Sequence, residues 1–154
     1  MTHQVFVYGT LLKDEVVSVL TGVLIPSMPA TLPHHRRLKI HKPGRDAKGP
    51  AIIKSPSDAV HGRILFNVDD RCLQILDQFE LAAGGYKRVQ AKACAIGNRF
   101  VTVETYRAKK KIHKHLFGDW CLDEFERLHM AHYVNARIPA LIEQWRAEGL
   151  YPEQ

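Results

Sequence analysis

The sequence of 154 residues lacks most features that mark a specialised class of protein. Its three cysteines, Cys72, Cys94 and Cys121, lie far apart and form no Cys-x-x-Cys pair, which argues against a disulfide framework or a zinc ribbon. No apolar run approaches the roughly 20 residues that a membrane-spanning helix needs. Met1 to Gln4 lead directly into a predicted strand, without the regions of a signal peptide. We therefore expect a cytoplasmic protein without membrane contact, although a cleaved organellar presequence would leave no trace.

Motifs for metals and phosphates are also absent. The sequence has no Gly-x-x-x-x-Gly-Lys-Ser/Thr loop and no His-Glu-x-x-His segment. Nine histidines are present, but the pairs His113–His115 and His129–His132 have no acidic or cysteine ligand at a zinc-binding spacing. We therefore expect neither a metal nor a cofactor.

The composition is that of an ordinary globular protein, with 45% hydrophobic and 25% charged residues. We expect one domain over residues 1–154. The net charge of +6 favours anionic partners, and the basic stretch from Arg107 to His115 concentrates part of that charge. Such a stretch is usually a solvated loop. Nucleic acid is compatible with this charge, but no motif indicates it, and nothing indicates an oligomeric state.

Hydrophobic periodicity predicts a mixture of strands and helices. A strand ends at Tyr8, a glycine turn follows, and a short helix covers Asp14 to Leu20. Further strands are predicted at Leu38–Ile40, Ala51–Ile53 and Val60–Val68, followed by a helix from Asp69 to about Gly84. Strands Tyr86–Ile96 and Phe100–Tyr106 flank a Gly97-Asn98 turn. A helical segment begins after Trp120 and extends to about Glu148, and Pro139 must interrupt or kink it. This order lacks a regular βαβ alternation, so we expect an α+β fold resembling a small mixed barrel.

Two features are candidates for chemistry. The turn Tyr8-Gly9-Thr10-Leu11 joins a strand to a helix and would expose backbone N–H groups able to hold a carboxylate or an oxyanion. Glu80 continues the apolar stripe of Leu73 and Leu76 near a helix C-terminus. Burial and the helix dipole would both raise its pKa, as a general acid or base near neutral pH requires. Taken alone, the turn also fits a simple connection between a strand and a helix, and Glu80 also fits a solvated glutamate at the end of a helix.

Three blocks of sequence carry a resemblance to a known family. They are Val5 to Leu12 with its Tyr-Gly-Thr-Leu signature, Leu76 to Glu80 followed by Tyr86 to Val89, and a segment from Trp120 to Met130. In this order the chain resembles the gamma-glutamylcyclotransferase-like superfamily, closest to its plant avirulence-induced branch. The resemblance implies a small mixed β-barrel with flanking helices and a C-terminal helix.

The resemblance also implies an activity and a set of site residues. A γ-glutamyl amine, amino acid or peptide would cyclise to 5-oxoproline and release a free amine, with no cofactor. The catalytic residue would be Glu80, and Tyr86 would be a further pocket residue. The substrate-binding residues would be Tyr8, Gly9, Thr10, Leu11, Leu12 and Lys13. The alternative hypothesis is a non-catalytic binding or scaffold protein of the same fold that uses its basic surface for RNA or a protein.

Overall fold

In the computed structural model, which describes residues 1–41, 49–82 and 84–154, five strands form a closed barrel. In chain order they are β1 (Thr2–Val7), β2 (Ser27–Lys39), β3 (Pro50–Asp69), β4 (Tyr86–Ala95) and β5 (Arg99–Ala108). Around the barrel the order is β1-β3-β2-β4-β5. The pairs are antiparallel apart from β1 and β5, which run parallel and pair at Val5 and Glu104. The expected small mixed barrel is confirmed.

Helices pack around the barrel and follow it at the C-terminus. They are α1 (Asp14–Thr21), α2 (Asp70–Leu81), α3 (Leu122–Leu128), α4 (Met130–His132), a π-helical turn (Tyr133–Arg137) and α5 (Ile138–Ala147). Pro139 lies in the first turn of α5, directly after the π turn, and the backbone stays helical on both sides of it. The predicted interruption at Pro139 is therefore wrong, because a proline is tolerated where it directly follows the π turn, and the segment is broken instead at His129, where φ is −129°. No helix in the described part of the chain is long and apolar enough to cross a membrane.

Two apolar clusters hold these layers together. The barrel interior is filled by side chains such as Phe6, Ile52 and Ile64, which are fully buried. The second cluster joins the outside of the barrel to the helices through residues that include Leu76 of α2 and Ile138 of α5. Full burial of one such side chain contributes about 1.5–3 kcal/mol. The barrel and the C-terminal segment therefore form one packed unit.

Strands β2 and β3 are much longer than the sequence indicates. Pro29 and Pro33 both lie within β2. Strand β2 pairs with β4 only at Ala30 and Thr31, so most of that edge needs no backbone donor and tolerates proline. The register with β3 shifts between Pro33 and His35, where His34 has a positive φ of 64°. The prediction of short strands here is wrong because these prolines occupy an unpaired edge and a bulge.

The predicted hairpin and the basic stretch are both found. Gly97 and Asn98 join β4 to β5 with φ angles of 81° and 58°, as a tight hairpin turn requires. After β5 the chain forms a 3₁₀ helix over Lys110–His115, which buries Ile112 and exposes its lysines. The Lys109 N–H donates to the Gly85 carbonyl at 2.9 Å, so the basic stretch lies against the loop that follows α2.

Candidate active site

A cavity of about 730 Å³ is lined by the barrel and by the C-terminal segment together. This volume lies within the range of small-molecule sites. On the barrel side its lining includes the turn Tyr8 to Leu11, Glu80 at the end of α2, and the rings of Tyr86 and Tyr106. The structure thus brings together the two features that about 70 residues of sequence separate.

The turn after β1 is a short 3₁₀ helix over Thr10–Leu12. Its hydrogen bonds run from the Leu12 and Lys13 N–H groups to the Gly9 and Thr10 carbonyls, at 2.9 and 3.3 Å. The N–H groups of Thr10 and Leu11 have no acceptor among the described residues and can serve a bound oxygen atom.

Glycine is required at position 9 because of its neighbour. A Cβ added to Gly9 would collide with the Cγ atom of Pro50, which also lines the cavity. The absent side chain therefore lets the turn and the start of β3 approach each other closely. This contact fixes the turn against the barrel.

Leu12 and Lys13, which follow the turn and are predicted to bind substrate, lie outside the cavity lining. Leu12 is partly buried against the core cluster beneath the helices. Lys13 forms an ion pair with Glu126 of α3, so its ammonium group anchors the C-terminal segment. A role for Leu12 and Lys13 in substrate binding stays a prediction that their positions do not support.

Glu80 is the acidic residue of the cavity lining in the described part of the chain. It lies in the last turn of α2, which begins after Asp69 caps the Cys72 N–H at 2.7 Å. Burial raises the pKa of Glu80 from 4.5 to about 7. Its carboxyl group forms no hydrogen bond or ion pair with the described residues. The group is therefore close to half-ionised at neutral pH and has lone pairs available for a ligand.

Three tyrosines line the same cavity as Glu80, and their hydroxyl groups are held by hydrogen bonds. The Tyr8 hydroxyl donates to the Tyr106 carbonyl at 2.6 Å, and the Tyr86 hydroxyl donates to the Pro50 carbonyl at 2.6 Å. The Tyr106 hydroxyl donates to Asp77 Oδ1 at 2.7 Å. Burial is the main cause that raises the pKa of both Tyr8 and Tyr106, followed by Tyr86 and Glu80 at Tyr8 and by Asp77 and Glu80 at Tyr106, so the phenols stay neutral. The tyrosines act as rigid walls.

Sequence reasoning missed the second wall of the cavity. This wall comes from the segment after α3, and His129, Tyr133, Arg137, Leu141 and Trp145 line the cavity at intervals of four residues. The interval is the sequence signal that was available, because side chains four apart share a helix face. The stripe mixes charged, aromatic and aliphatic residues, and it reads as an ordinary amphipathic face.

Cys72 and two histidines are further groups whose side chains are capable of chemistry. Cys72 is buried in the core, and burial raises the pKa of its thiol to about 11, which suits packing and not nucleophilic attack. His129 and His132 both line the cavity. No group of three or more His, Cys, Asp or Glu residues within 1–41, 49–82 and 84–154 is placed to hold a metal ion.

The comparison with protein families gives a match over most of the chain. Residues 5–122 match the family described as gamma-glutamyl cyclotransferase, AIG2-like. The match includes both the glycine turn and Glu80, and it ends before the segment that forms the second wall.

Relatives and solved structures agree with this match. The chain is 35% identical over 132 residues to AIG2-like protein D of Arabidopsis thaliana, covering 86% of this chain and 84% of the relative. A solution structure of an Arabidopsis thaliana protein aligns with a TM-score of 0.65 at 28% identity, over 95% and 92% of the two chains. A structure titled gamma-glutamyl cyclotransferase has the same fold, with a TM-score of 0.65 at 17% identity over 94% and 99%.

Proposed function

The chain belongs to the gamma-glutamyl cyclotransferase, AIG2-like family, and we propose that it is a gamma-glutamylcyclotransferase with Glu80 as its general acid and base. The observation that carries the proposal is the shared cavity. A carboxyl group with a pKa of about 7 and a turn with available N–H groups line the same space.

The proposed reaction is an intramolecular cyclisation. The neutral α-amine of the γ-glutamyl group attacks its own γ-carbonyl carbon and forms a five-membered ring. The bond from this carbon to the leaving nitrogen then breaks, which yields 5-oxoproline and a free amine. Because the nucleophile is tethered, positioning supplies much of the rate acceleration.

Glu80 would serve both proton transfers. Its carboxylate accepts the proton that the attacking amine loses, and the resulting carboxylic acid gives that proton to the leaving nitrogen. A pKa near 7 suits both roles, because each form is well populated at neutral pH. No net proton is consumed.

The turn would hold the oxygen that becomes negative during attack. The N–H groups of Thr10 and Leu11 are available for this oxygen, and the contact between Gly9 and Pro50 keeps them in place. Donors that are fixed before reaction stabilise a developing oxyanion without reorganisation. The rings of Tyr8 and Tyr86 line the same cavity as this turn.

The test is 5-oxoproline release from a panel of γ-glutamyl amino acids, peptides and amines. Turnover that falls in Glu80→Gln but persists in His129→Gln and His132→Gln supports Glu80, because imidazole is the other type of side chain in the described cavity lining that commonly serves as a general acid or base. Glu143→Gln, on the exposed face of α5, is the matched control. A wild-type protein that releases no 5-oxoproline from any member of the panel contradicts the proposal and favours the binding-protein alternative.

A further inference from the structure

The barrel is open along part of the seam between β2 and β4. Within the described residues these strands pair only at Ala30 and Thr31 of β2. Beyond this pairing β2 shifts its register with β3 around His34, whose φ is 64°. An open groove of about 670 Å³ lies here and is lined by residues 32–35, 90–92, Lys54, Phe100 and Arg107. Among the described residues it shares no lining residue with the candidate active site.

The charged side chains of the open groove are positive. Lys54, Lys92 and Arg107 line it, and no aspartate or glutamate of the described residues does so. None of these three cations forms an ion pair with a carboxylate in residues 1–41, 49–82 and 84–154. Clustered cations without counter-charges raise the local concentration of anions. The open groove therefore favours an anionic occupant, in a chain whose net charge is +6.

Arg107 is held in place by a buried histidine. The Nδ1–H group of His35 donates to the Pro33 carbonyl at 3.0 Å, which leaves Nε2 to accept from Arg107 Nη1 at 3.4 Å. Burial is the main cause that lowers the pKa of His35, and the charges of Arg107 and Lys54 lower it further. The imidazole is therefore neutral at neutral pH, so it orients the guanidinium group without cancelling its charge. The other N–H donors of Arg107 stay available to a ligand.

An aromatic ring lines the same groove. Phe100 is 61% exposed, and it precedes Arg107 in β5 by seven residues, or about 24 Å of extended strand. A single exposed ring is common on protein surfaces. An exposed ring in an elongated, positively charged groove is different, because it supplies both parts of a single-strand site. These parts are a surface on which a base stacks and cations that contact the phosphates.

We infer that the open groove binds single-stranded nucleic acid, with a base stacked on Phe100 and phosphates in contact with the three cations. The length of the groove suits a chain of several nucleotides better than a single phosphate group. The bases must be unpaired, because only an unpaired base offers its face to a phenyl ring. Stacking and phosphate contacts are common to RNA and DNA and carry little sequence preference. The inference does not depend on the proposed cyclotransferase activity, since groove and cavity have separate linings.

Fluorescence anisotropy of a labelled oligouridylate of about ten nucleotides tests this binding, and an oligothymidylate of equal length shows whether RNA or DNA binds more tightly. We expect a Kd of about 10⁻⁵ M at about 50 mM salt. Binding should weaken about twentyfold at about 200 mM salt, because each of three phosphate contacts adds about 0.7 to the slope of log K against log salt. Binding of either oligonucleotide with this salt dependence supports the inference. No binding of either at about 100 μM protein and 50 mM salt overturns it.

Two variants locate the site. Lys92→Gln should weaken oligouridylate binding about tenfold and lower the salt slope by about 0.7, whereas Lys87→Gln, an exposed lysine of β4 outside the lining, should have little effect. Phe100→Leu should weaken binding about tenfold through lost stacking. Its control is Phe117→Leu, which is 60% exposed and lies outside the lining. Binding that neither Lys92→Gln nor Phe100→Leu weakens overturns the inference, because it would then result from the net charge alone.

Two competitors separate nucleic acid from other polyanions. An RNA duplex of the same length hides its base faces, and polyglutamate carries negative charge without bases. Unlabelled oligouridylate should displace the labelled strand at about tenfold lower concentration than either competitor. Equal displacement by the duplex contradicts a single-strand site. Equal displacement by polyglutamate identifies a surface for acidic protein segments and also overturns the inference.

Discussion

Replacing Glu80 by glutamine should stabilise the protein, and the gain should grow with pH. Glu80 has a pKa of about 7 in the folded protein and 4.5 when exposed. Between these values the folded state binds more protons than the unfolded state, so the stability contributed by this group falls as pH rises. The loss is absent below about pH 4.5 and complete above about pH 7. Glutamine keeps the size of the side chain and cannot ionise, so it removes this pH dependence.

The size of the effect follows from the difference between the two pKa values. One pKa unit corresponds to about 1.4 kcal/mol, so the variant should gain up to about 3 kcal/mol at pH 8 relative to low pH. At pH 5.5 the corresponding gain is about 1.4 kcal/mol. The quantity to compare is the change between the two pH values, because any constant cost of burying the amide cancels.

Urea unfolding at pH 5.5 and pH 8 measures this change. Wild type, Glu80→Gln and the control Glu143→Gln are compared at both values, and the control should show no pH-dependent difference from wild type. A Glu80→Gln variant whose stability relative to wild type is the same at both pH values would show that the pKa of Glu80 is not raised in the folded protein. It would mean that Glu80 is already ionised in the folded protein at pH 5.5.

Three further predictions concern the surroundings of the site. Gly9→Ala should destabilise the protein by about 1–3 kcal/mol and lower turnover, because the added Cβ collides with the Pro50 ring. The control is Gly49→Ala, whose added Cβ would make an ordinary contact at 3.9 Å. Equal melting temperatures of the two variants would contradict this prediction. Replacing Lys109–Lys111 by glutamine should lower kcat/KM in a salt-dependent way and leave kcat unchanged, since these lysines lie outside the cavity lining and act only by attracting an anionic substrate. A large fall in kcat that does not depend on salt would contradict this role. Asp69→Ala should cost about 1 kcal/mol in urea unfolding through loss of the α2 cap, and an unchanged midpoint would show that the cap is unimportant.

Local physical rules explain which elements the sequence predicts well. The Gly97-Asn98 turn and the start of α2 at Asp69 each depend on the preferences of one or two residues. Such preferences act whatever the rest of the chain does. The glycine turn and the helix that carries Glu80 are likewise visible from local patterns.

The remaining features depend on contacts between distant segments. Strand β2 accepts Pro29 because β4 leaves that part of its edge unpaired, and no local pattern reports how far two strands stay paired. The meeting of the Tyr8 turn with Glu80 results from closure of the barrel, in which β1 lies parallel to β5. The second wall depends on where the segment from His129 to Trp145 docks, and its mixed stripe fits several environments.

The most direct test of the central claim is the pH dependence of 5-oxoproline release by wild type and Glu80→Gln on the best γ-glutamyl substrate. Because a neutral α-amine must attack while Glu80 is a carboxylate, the wild-type kcat/KM should rise with pH through two ionisations, one of them near the Glu80 pKa of about 7. Glu80→Gln should be slower by about 10²- to 10⁴-fold and should keep only the rise that belongs to the substrate's α-amine. A Glu80→Gln variant that works within a few-fold of wild type and keeps both ionisations would contradict the assignment of Glu80 as the general acid and base.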